Sequence, residues 1–160
     1  MKKYLYILGL IIIFFTSCDK EDDTVPLGDR SVALYGQWEY LSIMSNTAVD
    51  INGDGTVNID LYNSNEIRQC LKDNITFFAS RGEDEKSAYS VNENGLSCGD
   101  VDSFSTVESD RYELLDNKTL RFDEQNDMTI IEFDENRLVL EQNDFLDDQN
   151  VIVTYTLKRS

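Results

Sequence analysis

"VIVTYTLK", residues 151–158, sets Val151, Val153, Tyr155 and Leu157 on one face of an extended chain and Ile152, Thr154, Thr156 and Lys158 on the other. Successive side chains of a strand point to opposite faces, so an unbroken two-residue period marks a half-buried strand. Weaker versions lie upstream. Leu138 and Leu140 alternate in "RLVLE", Thr129, Ile131 and Phe133 in "MTIIEF", Leu120 and Phe122 in "TLRF", and Tyr112 and Leu114 in "RYELL". Between these segments stand Asp116-Asn117, Gln125 to Asp127 and Glu135-Asn136, residue types that tolerate the positive φ of tight hairpins. "NITFFAS" and "KSAYSVNE" add strands on either side of Gly82, and "QWEYLSIM" adds one at the start. The pattern predicts an all-β meander of about eight antiparallel strands with one apolar face, which can close on itself and remove its exposed edges. The expected inward set is Trp38, Phe78, Phe122, Ile131, Phe133, Leu138, Leu140 and Tyr155.

One segment has a different period. In "NSNEIRQCLKD", residues 63–73, Asn63 with Glu66 three residues on reads as a capping box, and Ile67, Cys70 and Leu71 share a helical face. A short helix is therefore expected between the first and second strands.

The first residues, "MKKYLYILGLIIIFFTSC", carry two lysines and then an apolar run of twelve residues, Tyr4 to Phe15. The run is shorter than the ~20 residues that span a bilayer and matches a secretory signal core. It ends in "FTSC", which resembles the lipobox of bacterial lipoproteins, where the cysteine, here Cys18, receives the lipid and becomes the first residue. Residues 1–17 are then a signal peptide, and cleavage takes the formal net charge from −17 to −19 by removing Lys2 and Lys3. So acidic a chain is repelled by phosphate, which argues against nucleic acid and leaves acyl chains to hold the membrane. "DKEDD" after Cys18 resembles the acidic signal that sends Bacteroidota lipoproteins to the outer face of the outer membrane; a solvated linker on a periplasm-facing lipoprotein is the alternative. Residues 18–33 are expected to form an acidic tether and residues 34–160 a single domain, long enough for one core.

With Cys18 lipidated, Cys70 and Cys98 remain, and an even pair in an exported chain reads as a disulfide. A two-cysteine metal site is the alternative, but the chain has no histidine to complete it. The missing histidine also excludes Ser-His and Cys-His nucleophile pairs. Carboxylate hydrolysis stays open only because 31 acidic residues always permit some pair, and a non-enzymatic role is expected.

"YGQWEYLSI", with Gly36, Gln37 and Trp38, is similar to the G-x-W signature of lipocalins. The order of parts resembles the lipocalin-like domain of small Bacteroidota lipoproteins: lipobox, acidic linker, G-x-W, "NGDG", a cysteine, an aromatic strand, a second cysteine, then paired strands. The resemblance spans roughly Leu34 to Leu157. It implies an eight-stranded up-and-down barrel whose closed end is plugged by the tryptophan, and it conveys a fold better than an activity.

"DINGDGTVNID" raises the question of a metal. With Asp50 as position one, Asn52, Asp54, Thr56 and Asn58 fall at three, five, seven and nine, and Gly55 at the turn, as in a calcium loop. Position twelve, which should close the shell, is Leu61, and Asp60 stands one residue early. The two readings are a weak, structural Ca²⁺ site of Asp50, Asn52, Asp54, Thr56, Asn58 and Asp60, or a polar turn. Two functions compete as well. In one, the barrel holds a small apolar or amphipathic ligand among Trp38, Phe78, Phe122, Phe133 and Tyr155. In the other, a filled barrel presents its loops to a surface protein or glycan.

Overall fold

The computed structural model describes residues 27–82, 86–99 and 106–160; the expected signal peptide, Cys18 and the tether as far as residue 26 lie outside the described residues. The strands are β1 (Gly36–Val49), β2 (Asn58–Asp60), β3 (Ile75–Ala79), β4 (Ser87–Asn92), β5 (Thr106–Leu115), β6 (Thr119–Phe122), β7 (Met128–Phe133), β8 (Arg137–Leu146) and β9 (Gln149–Arg159). Among the described residues there are two helices, α1 (Leu27–Leu34) and α2 (Gln69–Lys72). Neither is long and apolar enough to cross a membrane.

The sheet runs β2-β1-β3-β4-β5-β6-β7-β8-β9, and β1 also pairs with β9. That last pairing, from Trp38↔Arg159 to Ser45↔Val153, closes a ring of eight antiparallel strands, β1 and β3 to β9. The ninth, β2, lies on the same edge of β1 as β3: Gly36 to Glu39 pair with β3, whereas Met44 and Val49 pair with β2. Together they occupy one place in the wall, interrupted by the excursion from Asn63 to Asn74 that contains α2. The expected helix is therefore present in shorter form. Glu66 does not cap it, because the helix begins only at Gln69.

Turn chemistry explains two hairpins. Asp116 and Asn117 have φ of 47° and 60°, and Asp147 and Asp148 have 49° and 58°. Two central residues with positive φ are what a two-residue hairpin needs to match the strand twist, and after glycine Asn and Asp reach that region most readily.

The interior follows the parity of β9. Val151, Val153 and Leu157 are buried, with Leu138 and Leu140 opposite Leu157 and Tyr155. One expectation fails on β7. Ile131 is 49 % exposed, while Met128, Ile130 and Phe133 are buried. A bulge between Ile130 and Glu132 puts Ile130 opposite Leu140 and Phe133 opposite Leu138, and the extra residue turns Ile131 outward. The other seven residues of the expected inward set belong to the main apolar cluster or pack against it.

Residues 27–33, expected in the tether, form most of α1, which packs against the barrel end that carries the β5–β6 and β7–β8 turns. Arg30 donates to the Asn117 carbonyl at 2.8 Å, and Leu34 is fully buried. Trp38 is also fully buried, its indole N–H donating to the Leu34 carbonyl at 2.9 Å. Arg159 covers the ring, its guanidinium carbon 4.3 Å from the centroid, and donates to the carbonyls of Ala33, Tyr35 and Glu135. Gly36 has φ of +137°, and a Cβ there would lie 2.8 Å from the Arg159 guanidinium. The Gly-x-Trp spacing thus sets a side-chain-free residue under Arg159 and an indole beneath the same cation.

Candidate functional site

Seven of the eight barrel strands contribute to one cavity of about 60 Å³ inside the ring. Tyr40 comes from β1, Thr76 from β3, Tyr89 from β4 and Glu108 from β5. Met128 of β7, Leu140 and Gln142 of β8, and Tyr155 and Leu157 of β9 complete the wall. Below it, toward α1, the interior is filled. Phe78, Tyr89, Tyr112 and Phe122 meet ring to ring with centroids 5.0–6.0 Å apart, and Phe133 stands 6.1 Å from Trp38.

Of the five residues expected around a ligand, Tyr155 lines this cavity. Trp38, Phe78, Phe122 and Phe133 lie in the packed cluster toward the closed end. Apart from Tyr155, the polar members of the wall are not in the expected set. Thr76 donates to the Tyr40 hydroxyl at 3.3 Å, and the Tyr155 hydroxyl donates to Gln142 Oε1 at 3.5 Å. The rings of Tyr40 and Tyr155 are 6.1 Å apart. Glu108 follows from the pairing: it stands opposite Val91 as Ser87 stands opposite Tyr112, on the parity of buried Tyr89, Val91 and Tyr112. Two-residue steps back from Tyr112 would have found it.

Electrostatics at the cavity are one-sided. Glu108 as a residue is exposed, yet partial desolvation of its carboxyl first, and the nearby Asp110 carboxylate second, raise it above the ordinary glutamate range, and a hydrogen bond from Gln125 offsets part of this. Burial raises the phenols of Tyr40, Tyr89 and Tyr155, with the Glu108 charge adding to each, so all three stay neutral. Among the described residues no ion pair includes Glu108.

The expected calcium loop closes on itself. Asp50 Oδ1 accepts the N–H groups of Gly53 and Asp54, and its Oδ2 accepts that of Gly55. Asp54 accepts the Thr56 N–H, and Asp60 accepts both the backbone and the side-chain N–H of Asn63. Glu66, only 5 % exposed, reaches in from the excursion and accepts from the Ile51 and Asn52 N–H groups and from the Asn58 amide. Among the described residues no group of three or more acidic, Cys or His side chains is arranged to hold a metal, and the Ca²⁺ site expected of Asp50, Asn52, Asp54, Thr56, Asn58 and Asp60 draws no support from that quarter. The carboxylates are turned onto the loop's own donors, the arrangement that the polar-turn reading describes. Glu66→Ala is expected to destabilise the protein by about 1–3 kcal/mol, since three donors lose their acceptor. Faster amide exchange at Ile51 and Asn52 would locate the effect in the loop; unchanged exchange would mean the carboxylate does not hold it.

The disulfide is formed as expected. Cys70 and Cys98, 28 residues apart, are bonded with Cα atoms 5.3 Å apart, tying the excursion to the β4–β5 connection.

No family model matches the chain, and no curated protein matches it. Among solved structures the chain is similar to a deswapped triple mutant of bovine odorant binding protein, at 16% identity and a TM-score of 0.44, over 80% of this chain and 74% of that one. The barrel itself is established by the strand order and the β1–β9 closure, the topology that the resemblance to lipocalins implies.

Proposed function

We propose that this protein is a cell-surface lipoprotein, anchored through Cys18 to the outer membrane, whose barrel binds one small amphipathic molecule and catalyses no reaction. The observation that carries the binding role is the cavity walled by seven barrel strands, with Tyr155, Leu140 and Met128 giving it apolar surface and Gln142, Thr76 and Glu108 giving it polar groups. Small-ligand sites set a few convergent polar groups among apolar walls; here polar and apolar surface share the lining evenly, which suits an amphipathic occupant. Its volume limits the occupant. Drug-sized ligands fill roughly 300–1,000 Å³, so about 60 Å³ suits a compact molecule or the head of a longer one. The anchor rests on the sequence: the apolar run, "FTSC" and the acidic residues after it.

The filled half of the barrel supports a second reading, in which the loops meet a surface protein or glycan and the cavity holds only water. Native mass spectrometry of protein purified from its own host separates the two. Expected are an acyl mass increment at Cys18 and a non-covalent small molecule that is absent from Met128→Trp, which fills the cavity. A bare protein mass would favour the second reading, and an unmodified Cys18 would remove the anchor.

A further inference from the structure

We infer that the ligand of the barrel cavity is a small organic cation, an amine or quaternary ammonium group held between the rings of Tyr40, Tyr89 and Tyr155 and the carboxylate of Glu108. This rests on the small-ligand reading above and gives it a chemical class.

The wall decides the class by its charges. It contains one carboxylate and no lysine or arginine. Every lysine or arginine that forms an ion pair among the described residues does so elsewhere: Lys86 and Arg111 with Asp123 or Glu113, Arg137 with Glu132, and Lys158 with Glu39. Asp110, the next inward-parity residue of β5, is also acidic and satisfied otherwise, by the N–H groups of Arg111, Glu124 and Gln125. An anion entering this cavity meets Glu108 and the field of a chain of net charge −17. A wholly apolar ligand would strip water from Glu108 and return nothing for it. A cation gains from the carboxylate, the ring faces and the acceptor oxygens together.

The aromatic groups point the same way. An ammonium over a tyrosine ring is attracted by the negative face of the π system, and desolvation strengthens the effect. Three tyrosines on three different strands, all neutral, surround the space, with the Gln142 and Tyr40 oxygens able to accept from an N–H donor. Rings at strand spacing are ordinarily core, and Phe78 and Phe122 illustrate that below. Tyr40, Tyr89 and Tyr155 differ in having a cavity beside them and a carboxylate on its wall. Room for a few water-sized groups matches an ammonium with a short alkyl chain.

The test titrates the full chain with butylammonium, 1-butanol and butanoate, three probes of nearly equal size, and follows the ring signals of Tyr40, Tyr89 and Tyr155 by NMR. Butylammonium is expected to bind at least tenfold more tightly than 1-butanol, and butanoate to leave the rings unmoved. In Glu108→Gln the preference should fall below about threefold, while in Glu141→Gln, on the outward parity of β8, it should persist. Equal binding of amine and alcohol, or an amine preference that survives Glu108→Gln, would overturn the cation and leave the small-ligand cavity standing. Ring signals unmoved by all three probes would overturn the cavity as a binding site, and the cation with it.

Discussion

Trp38→Ala is expected to lower the unfolding free energy by about 3–5 kcal/mol, the range for removing a large aromatic side chain from a core that cannot collapse onto the space. The loss should appear as a fall in melting temperature on the order of 10–20 °C for a domain of this size. Collapse is prevented from every side. The ring shares the main buried cluster with Leu34, Phe133 and Leu138, stands 6.1 Å from the Phe133 ring and lies beneath the Arg159 guanidinium. Arg159 cannot follow a vacated ring inward, because it is fixed by three backbone carbonyls from α1, the following linker and the β7–β8 turn. The substitution also leaves the Leu34 carbonyl without its indole donor. Chemical denaturation of the single variants and of Trp38→Ala with Arg159→Ala should give non-additive losses, as residues in direct contact do. A loss below 1 kcal/mol for Trp38→Ala, or strict additivity, would mean that α1 and Arg159 do not close the barrel through this ring.

The closed end also shows what a two-residue period conveys and what it leaves out. The inward face of β9 is legible because four apolar residues alternate with mostly polar neighbours, and no competing register buries as much. On β7, "MTIIEF" offers adjacent isoleucines, and either can begin an inward set. The choice is made by β8, where Leu140 and Leu138 take Ile130 and Phe133 as partners and leave Ile131 as the bulge. That information lies in another strand. Helix α1 is hidden for a similar reason. Eight residues including Gly28 are too few to form a helix alone, and tertiary bonds from Arg30 and to Arg159 hold it. At the site, Glu108 sits in "STVESD", which reads as polar loop until pairing with β4 extends β5 back to Thr106. Glu66 misleads in the opposite direction. Its spacing from Asn63 suggests a cap, but the free N–H groups of the loop at Ile51 and Asn52 offer it a better use.

Replacing Cys70 and Cys98 together by serine is expected to cost about 3–4 kcal/mol, the loop-closure entropy that a cross-link over 28 residues removes from the unfolded chain. The cross-link joins two segments with few other ties. Asp73 accepts the Leu96 N–H at 2.8 Å, and Arg68 reaches the Cys98 carbonyl at 3.5 Å; on the far side, the Cys98 N–H is held by Glu93 within its own connection. Those bonds keep the excursion near its place in the folded state, so the native structure changes little when the sulfur bridge is gone. The unfolded chain changes more, because Cys70 and Cys98 flank β3 and β4, and freeing them lets the whole hairpin explore extended conformations. The loss should therefore be global: a lower midpoint in denaturant for the double variant, reproduced in the parent protein by a reductant and absent when the reductant is added to the variant. If instead amide exchange rises only across residues 63–74 while the global midpoint holds, the bridge acts as a local pin on the excursion, and the entropy it removes from the unfolded chain is offset by strain in the folded one.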